Sequence, residues 1–413
     1  MATCRSCGSD DVRSFLDLGV LPLPDALRRA AELQQDEKRY PLEVGFCASC
    51  SLVQILEEVD PEEMFVANYH YYSSFSDALL RHSKKNVDNL VATRGLGPES
   101  LVVELASNDG YLLQYFVKHG VPVLGIDPSP GPAAAAAEKG IPTMETFFTR
   151  ELAEQLVANG KQADVIVANN VMAHVPDVNG FVGGIAKLLK ENGTTSIEAP
   201  YVRDLIEHCE FDTIYHEHLC YFSVSAVEAL FERHDLHLNK VEHLDIHGGS
   251  LRYYASPTPD PDGSVERYLD EETRLGLDTQ DFYDGFANRV GQLKTDLREL
   301  VARLKGEGKS IAAYGAAAKG AIMLNYVGLD HQMLDFVVDR NTHKQGRYMP
   351  GMDLEIRDPR ALLEDKPDYT LLLSWNFKDE IMEQQQEYLN QGGKFIVPVP
   401  HPEVVSHAGV HSH

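Results

Sequence analysis

Residues 215–218 read Tyr-His-Glu-His, and Tyr221 follows shortly after. Each of these four side chains can donate, accept or orient a proton. Removing a proton from carbon beside a carbonyl needs a base with a pKa near working pH, and histidine meets that need. His218 is the leading candidate for the base, with Glu217 tuning or orienting it. Tyr215 is a candidate donor to the developing oxyanion, or a proton relay. His174 closes the run Ala-Asn-Asn-Val-Met-Ala-His at 168–174 and is a second candidate for donor or base. Tyr69 belongs to an aromatic strip at 62–76, with Tyr71 and Tyr72, and is expected to reach toward the same cleft. Several phenols so close together would each need a partner in a core, so packing alone does not explain the strip. His216 is offset by one residue and is read as structural.

Such a cluster does chemistry only beside an electrophile, and a candidate site for one lies upstream. Val-Val-Glu-Leu-Ala-Ser-Asn-Asp-Gly at 102–110 reads as a strand and turn leading into a helix. Asp127 ends the next strand at Leu-Gly-Ile-Asp-Pro, where an acid can accept both hydroxyls of a ribose. The turn has one glycine instead of the three of a dinucleotide fingerprint, and its acids would repel phosphate. It suits a cationic ligand without phosphate, which describes S-adenosylmethionine. A nicotinamide-dependent dehydrogenase is disfavoured because neither α/β half carries G-x-G-x-x-G.

The positioning elements follow from pattern. Strands are expected at 101–105, 122–126, 164–168 and 194–198, and helices at 111–119, 131–139, 148–158 and 178–190. This alternation implies a parallel sheet with helices on both faces and ligands at the strand carboxyl ends. Residues 264–307 read as a charged, helix-rich connector. A second α/β pattern has strands at 310–314, 334–338, 369–373 and 393–397, and a tail from about 403 is expected to fray. After the strand at 310–314 comes Gly-Ala-Ala-Ala-Lys-Gly at 315–320, where small residues and a helix start could accept an anion.

Six cysteines are present, and four form the pairs Cys4-x-x-Cys7 and Cys47-x-x-Cys50. Two such pairs offer four thiolates to a tetrahedral Zn²⁺ with no position left for water, so a structural zinc site is expected. Cys209 and Cys220 lack a partner pattern and are read as packing residues. The 413 residues suffice for two to three domains. With 37 basic against 63 acidic side chains the formal charge is −26, which disfavours nucleic acid as a partner. No apolar run is long enough to span a bilayer, and a cytoplasmic protein with reduced thiols is expected.

Glu-Leu-Ala-Ser-Asn-Asp-Gly, Asp127 and Ala-Asn-Asn-Val-Met-Ala-His-Val together resemble the motifs of class I S-adenosylmethionine-dependent methyltransferases. Two N-terminal Cys-x-x-Cys pairs, a central domain with Tyr-His-Glu-His and a C-terminal domain with Tyr-Gly-Ala-Ala-Ala-Lys-Gly resemble the sugar C-methyltransferases over almost the whole chain, nearest their tetronitrose-forming branch. The resemblance implies an α/β architecture. It comprises a zinc-binding module at 1–65, a helical and aromatic linker at 66–97, a Rossmann-like methyltransferase domain at 98–260 and a second Rossmann-like domain at 261–413. It implies a dTDP-linked 4-keto-deoxysugar methylated at C-3′ for antibiotic deoxysugar biosynthesis, with dTDP-3-amino-2,3,6-trideoxy-4-keto-D-glucose as the expected form. Tyr69, His174, Tyr215, Glu217 and His218 are then active-site positions. Glu104, Ala106, Asn108, Gly110, Asp127, Asn169 and Asn170 are expected around the cofactor. Lys319, Ala316, Asn325 and Arg252 are expected around the substrate, and Ser374-Trp375-Asn376 ends a strand near it. A monomer is expected, since three domains already enclose a cleft. The competing readings are an O- or N-methyltransferase of a small metabolite and a non-catalytic, zinc-stabilised binding protein.

Overall fold

A computed structural model describes residues 2–60, 72–246 and 248–406. Tyr69, Tyr71 and His247 lie outside the described residues.

At the N-terminus, strands Val12–Pro22, Arg39–Cys47 and Val53–Ile55 form an antiparallel sheet below two cysteine turns. Each turn closes with a bond back to its first cysteine, Gly8 N–H to Cys4 O at 2.9 Å and Ser51 N–H to Cys47 O at 2.9 Å. Both closing residues take positive φ, which lets each Cys-x-x-Cys loop turn its thiols inward. The fourth strand of this sheet is Cys220–Tyr221, from just beyond the Tyr-His-Glu-His segment.

The central domain is a seven-stranded sheet in the order His237–Leu244, Ser250–Ser256, Leu189–Pro200, Ala163–Asn169, Val102–Leu105, Val123–Asp127, Thr143–Glu145. Strand Val102–Leu105 is flanked by parallel neighbours and is buried along its length, as its run of apolar residues requires. The sheet is not wholly parallel. Ser250–Ser256 runs antiparallel to both neighbours, so the sheet ends in a strand pair that the parallel alternation did not foresee. The strand expected at 194–198 is part of a longer one, Leu189–Pro200, and the preceding helix stops at Leu188.

The C-terminal sheet has six strands in the order Ile356–Arg357, Val337–Val338, Ile311–Tyr314, Tyr369–Leu372, Lys394–Val397, Glu403–Val405. All pairings are parallel except the last. Residues 403–405, expected to fray, therefore close the sheet edge. The connector is also more than a linker. Helix Gln280–Gly306 buries Tyr283, Phe286, Val290, Leu293, Leu297, Val301 and Leu304 along one stripe. Its Tyr283 ring stacks on Phe46 at 4.7 Å and meets Phe15 at 5.1 Å, which docks the helix on the cysteine module.

Candidate active site

The loop after the 3-10 turn Phe211–Thr213 carries the proton-handling residues. His218 Nδ1 lies 2.9 Å from Thr213 O. A carbonyl can only accept, so Nδ1 carries a proton, and in the neutral ring Nε2 then keeps its lone pair. That lone pair faces the Tyr215 hydroxyl at 2.8 Å. The two rings lie 3.9 Å apart, so Tyr215 and His218 form one unit. The orienting contacts on His218 thus come from Thr213 and Tyr215, where Glu217 had been expected.

His174 meets the same unit edge-on, its ring 4.7 Å from that of His218. Burial, only partly offset by a bond to the Glu217 main chain, pulls its pKa down to about 4. The ring is uncharged at neutral pH, and its Nδ1 is buried with no partner among the described residues. Glu217 behaves oppositely. Desolvation and the negative charge of Asp25 push its carboxyl up to about 8 against the pull of Lys344, so it holds its proton near neutrality. Asp25 belongs to the N-terminal segment and Lys344 to the C-terminal domain. Neither was singled out from sequence, because only the fold brings them to Glu217. His216 turns away: its Nε2 lies 3.2 Å from Pro41 O, joining the loop to the N-terminal module. Leu219 N–H donates to Ala173 O at 2.7 Å, so the segments of His218 and His174 are joined through main chain as well.

The cofactor-type residues meet at the carboxyl ends of Val102–Leu105, Val123–Asp127 and Ala163–Asn169. Asp127 holds the turn: Oδ2 accepts from Asn108 N–H at 2.8 Å and Oδ1 from Ser129 N–H at 2.8 Å. Each oxygen retains a lone pair for a ribose hydroxyl. Ala106 (φ 55°), Asn108 (φ 48°), Gly110 (φ 72°) and Asn170 (φ 53°) all lie in the left-handed region. Such conformations cost side-chain-bearing residues energy and concentrate where a ligand is gripped. The backbone bends that extra glycines would ease are thus made by an alanine and two asparagines.

Unsatisfied groups define what the crevice lacks. Glu104 is fully buried, and neither carboxyl oxygen has a partner among the described residues. Burial, then Asp127, Asp109 and Glu198, drive its pKa well above the carboxylate range. Both polar side-chain atoms of Asn169 are likewise buried and unpartnered. A cationic ligand with hydrogen-bonding groups would answer both needs, so the residues fit S-adenosylmethionine.

The residues expected around the substrate divide. Lys319 is half-buried over the Trp375 ring at 4.2 Å, and its ammonium contacts the Asn376 side-chain oxygen. It also feels the charges of Asp212 and Glu210. Burial pushes Asp212 up to about 6 and Glu210 up to about 9, against the pull of Lys319. The Ala316 amide was expected to be open to an anion. It donates instead to Asp339 Oδ2 at 2.7 Å, while the Ala316 carbonyl accepts from Lys344 Nζ at 2.8 Å. Asp339 follows strand Val337–Val338 and closes this loop with its own carboxylate, and Lys344 reaches the same alanine. Asn325 staples its helix to Pro350 O at 3.0 Å. Arg252 is engaged by acids of the central sheet. It lies on strand Ser250–Ser256, where its guanidinium bonds Glu198 at 2.6 Å and Glu242 at 3.3 Å. His82 meets the other Glu198 oxygen at 2.9 Å. The buried Glu198 carboxylate takes up the Arg252 guanidinium because leaving it unpaired would be costly.

Away from the cleft, Cys4, Cys7, Cys47 and Cys50 converge with all four sulfurs within 4.8 Å of one another. Cys4 to Cys50 and Cys7 to Cys47 are each 3.6 Å, too long for a disulfide. Four thiolates at ~2.3 Å from a tetrahedral Zn²⁺ would sit about 3.8 Å apart, so the donor set fits that ion. Cys209 and Cys220 are buried separately as packing residues. Among the described residues no helix is long and apolar enough to cross a membrane.

Comparison with known proteins follows the same division. Residues 4–65 match a family of zinc binding domains, residues 70–241 a methyltransferase domain and residues 245–400 a C-methyltransferase C-terminal domain. The chain is 36% identical over 406 residues to the C-methyltransferase NovU of Streptomyces niveus, spanning 98% of this chain and 96% of that protein. A shorter match, 28% identical over 126 residues, links 30% of this chain to 48% of a ubiquinone biosynthesis O-methyltransferase of Rhodopseudomonas palustris strain BisA53. Among solved structures, the magnesium protoporphyrin IX methyltransferase ChlM of Synechocystis PCC 6803 with bound SAM is similar over 46% of this chain and 86% of its own, at 16% identity and a TM-score of 0.34.

Proposed function

Since the chain belongs to the family of C-methyltransferases that includes NovU, with S-adenosylmethionine as methyl donor, we propose that it methylates C-3′ of a dTDP-linked 4-keto-deoxysugar through an enolate. The observation that carries this reading is the Tyr215–His218 unit, an imidazole held through Nδ1 by a carbonyl with its Nε2 facing a phenol 2.8 Å away. Methylation at oxygen or nitrogen needs less than this. A carbon nucleophile must first be made by removing a C–H proton, and that step needs a preorganised base.

In this reading the Thr213 carbonyl holds His218 in the tautomer whose Nε2 accepts from the Tyr215 hydroxyl and takes the substrate proton directly or through it. Glu217, protonated near neutrality, donates a hydrogen bond to the charge that develops on the sugar's C-4′ oxygen. His174 stays neutral and lines the same space, and its unpartnered Nδ1 is available to a sugar hydroxyl. Glu104, Ala106, Asn108, Gly110, Asp127, Asn169 and Asn170 would hold S-adenosylmethionine, which supplies an electrophilic methyl when bound. Lys319 and Lys344 are the cations on the C-terminal side, the side assigned to the nucleotide diphosphate. The four cysteines would hold a structural Zn²⁺ with no open position.

The test is isotopic. The protein is incubated with a dTDP-4-keto-6-deoxysugar in deuterated water, and exchange is followed by NMR before S-adenosylmethionine is added. Deuterium at C-3′, followed by a mass gain of one methyl at that carbon, is expected. A ketone at C-4′ acidifies C-5′ as well, so exchange and methylation at C-5′ would overturn the regiochemistry. Methylation of a heteroatom without exchange would overturn the carbon-nucleophile reading.

A further inference from the structure

We propose that Trp375, in the C-terminal domain, is a positioning residue for His218, acting across the domain boundary through Asp212. The inference rests on the reading of His218 as the base. Trp375 is the chain's only tryptophan. It begins a 3-10 turn at the carboxyl end of strand Tyr369–Leu372 and packs partly buried against the core, which leaves its N–H to find a partner of its own. Its indole Nε1–H donates to Asp212 Oδ2 at 2.8 Å. Asp212 is fully buried, and its other oxygen has no partner among the described residues. The indole is therefore the one donor from outside the turn that fixes this carboxylate in the described structure.

Asp212 is the middle residue of the turn Phe211–Thr213, and the next carbonyl, Thr213 O, accepts the Nδ1–H of His218 at 2.9 Å. That carbonyl decides which ring nitrogen is protonated and so which one faces Tyr215. The turn has only two main-chain bonds of its own, Thr213 N–H to Glu210 O at 3.0 Å and Ile214 N–H to Phe211 O at 3.0 Å. The Thr213 hydroxyl adds a bond to Glu210 O at 2.8 Å and the buried Phe211 ring packs 5.1 Å from Tyr326, so the turn is seated by its ends, and the indole bond fixes the one side chain between them. Lys319 Nζ lies over the indole at 4.2 Å, which holds the ring in its donating pose. The C-terminal domain thus sets the geometry of a base carried by the central one, and the base is correctly oriented only while the two domains are docked.

Trp375→Phe keeps an aromatic ring under Lys319 and removes the N–H. Turnover is expected to fall roughly tenfold, with KM for S-adenosylmethionine unchanged. The direct readout is the ring ¹⁵N NMR of His218 in the substrate-free full-length protein, assigned by its loss in His218→Asn. The wild type should show a protonated Nδ1 and an unprotonated Nε2, and Trp375→Phe should shift both signals toward a mixture of tautomers. Asp212→Asn keeps an acceptor for the indole and should retain most of the turnover, whereas Asp212→Leu should lose it as Trp375→Phe does. This pair serves if the tryptophan variant does not fold. Unchanged His218 signals in a folded Trp375→Phe or Asp212→Leu protein would overturn the proposal, as would equal turnover in Asp212→Asn and Asp212→Leu. The NMR measurement needs no sugar, so a wild type inactive on every dTDP-ketosugar sinks the functional reading while leaving this result interpretable.

Discussion

At the scale of single residues the site separates groups that are identical in sequence. His174, His216 and His218 share a side chain, but their surroundings differ. One is neutralised by burial, one is bonded to the main chain of another module, and one is locked into the tautomer a base needs. His218→Asn should abolish methyl transfer and leave cofactor affinity intact, because the ring's contacts with Thr213, Tyr215 and His174 belong to the proton-handling cluster; turnover and calorimetric titration together check this. Glu217 gives a pH prediction. Its folded pKa of about 8 lies above the ordinary value of 4.5, so the folded chain keeps a proton that the unfolded chain has lost between those values. Its stabilising contribution is therefore full below the ordinary value and is lost as pH rises through about 8. The proposed donor to the sugar oxygen disappears over the same upper limit. Turnover should fall above about pH 8. Glu217→Gln keeps a donor that does not titrate, so its lower plateau should extend past that point, and its urea midpoint should decline less than that of the wild type as pH rises. The types of these residues were legible in sequence. Glu217's neighbours were not, because Asp25 and Lys344 come from opposite ends of the chain.

At the scale of elements, the strand-turn-helix at 102–118 shows what pattern reading reaches. Its apolar strand, its acid and its following helix were all legible. The conformation of its turn was not, since an alanine in the left-handed region leaves no mark in composition. Ala106 at φ 55° carries strain of about 1–2 kcal/mol, held in place by packing and by the Asp127 bond to Asn108. A β-branched residue fits that region worse. Ala106→Val should lower stability by a further ~1–2 kcal/mol and weaken S-adenosylmethionine binding, measured by denaturant titration and calorimetry. The substrate-side loop at 315–320 is the complementary case. Its small residues and its place after a strand were read correctly, but its amide was assigned to an anion that the Asp339 carboxylate displaces. The competing acceptor lies 23 positions on from Ala316, beyond the reach of local pattern.

At the scale of the molecule, the cysteine module is continuous with the active site. Strand Cys220–Tyr221 completes its sheet, directly after the Tyr-His-Glu-His loop. On its other side Arg28 and Tyr348 exchange main-chain bonds at 3.0 and 2.8 Å, with Arg28 paired to Asp353 at 3.3 Å, so the module also holds the C-terminal domain. A metal at the four thiols would thus support the cleft from outside it. Chelation, or Cys47→Ser, should release one zinc equivalent and abolish turnover while the central domain still binds S-adenosylmethionine; a metal-release assay run beside calorimetry checks this. Arg28→Ala should raise KM for the sugar nucleotide and leave that for the cofactor unchanged, since it removes the pair with Asp353 and the bonds to Glu32 O and Gln35 O, all away from the cofactor crevice.

Chemical capacity was determined by sequence alone. Four thiols in two close pairs, an acidic turn after an apolar strand and a row of proton-handling side chains are local properties, written in spacings of a few residues. Tertiary structure decided how that capacity is set. Which histidine nitrogen carries its proton, which carboxyl stays neutral and which amide is already taken depend on the partners that folding brings near, from Thr213 beside His218 to Asp25 and Lys344 beside Glu217, because pKa and tautomer follow distances through space and not along the chain.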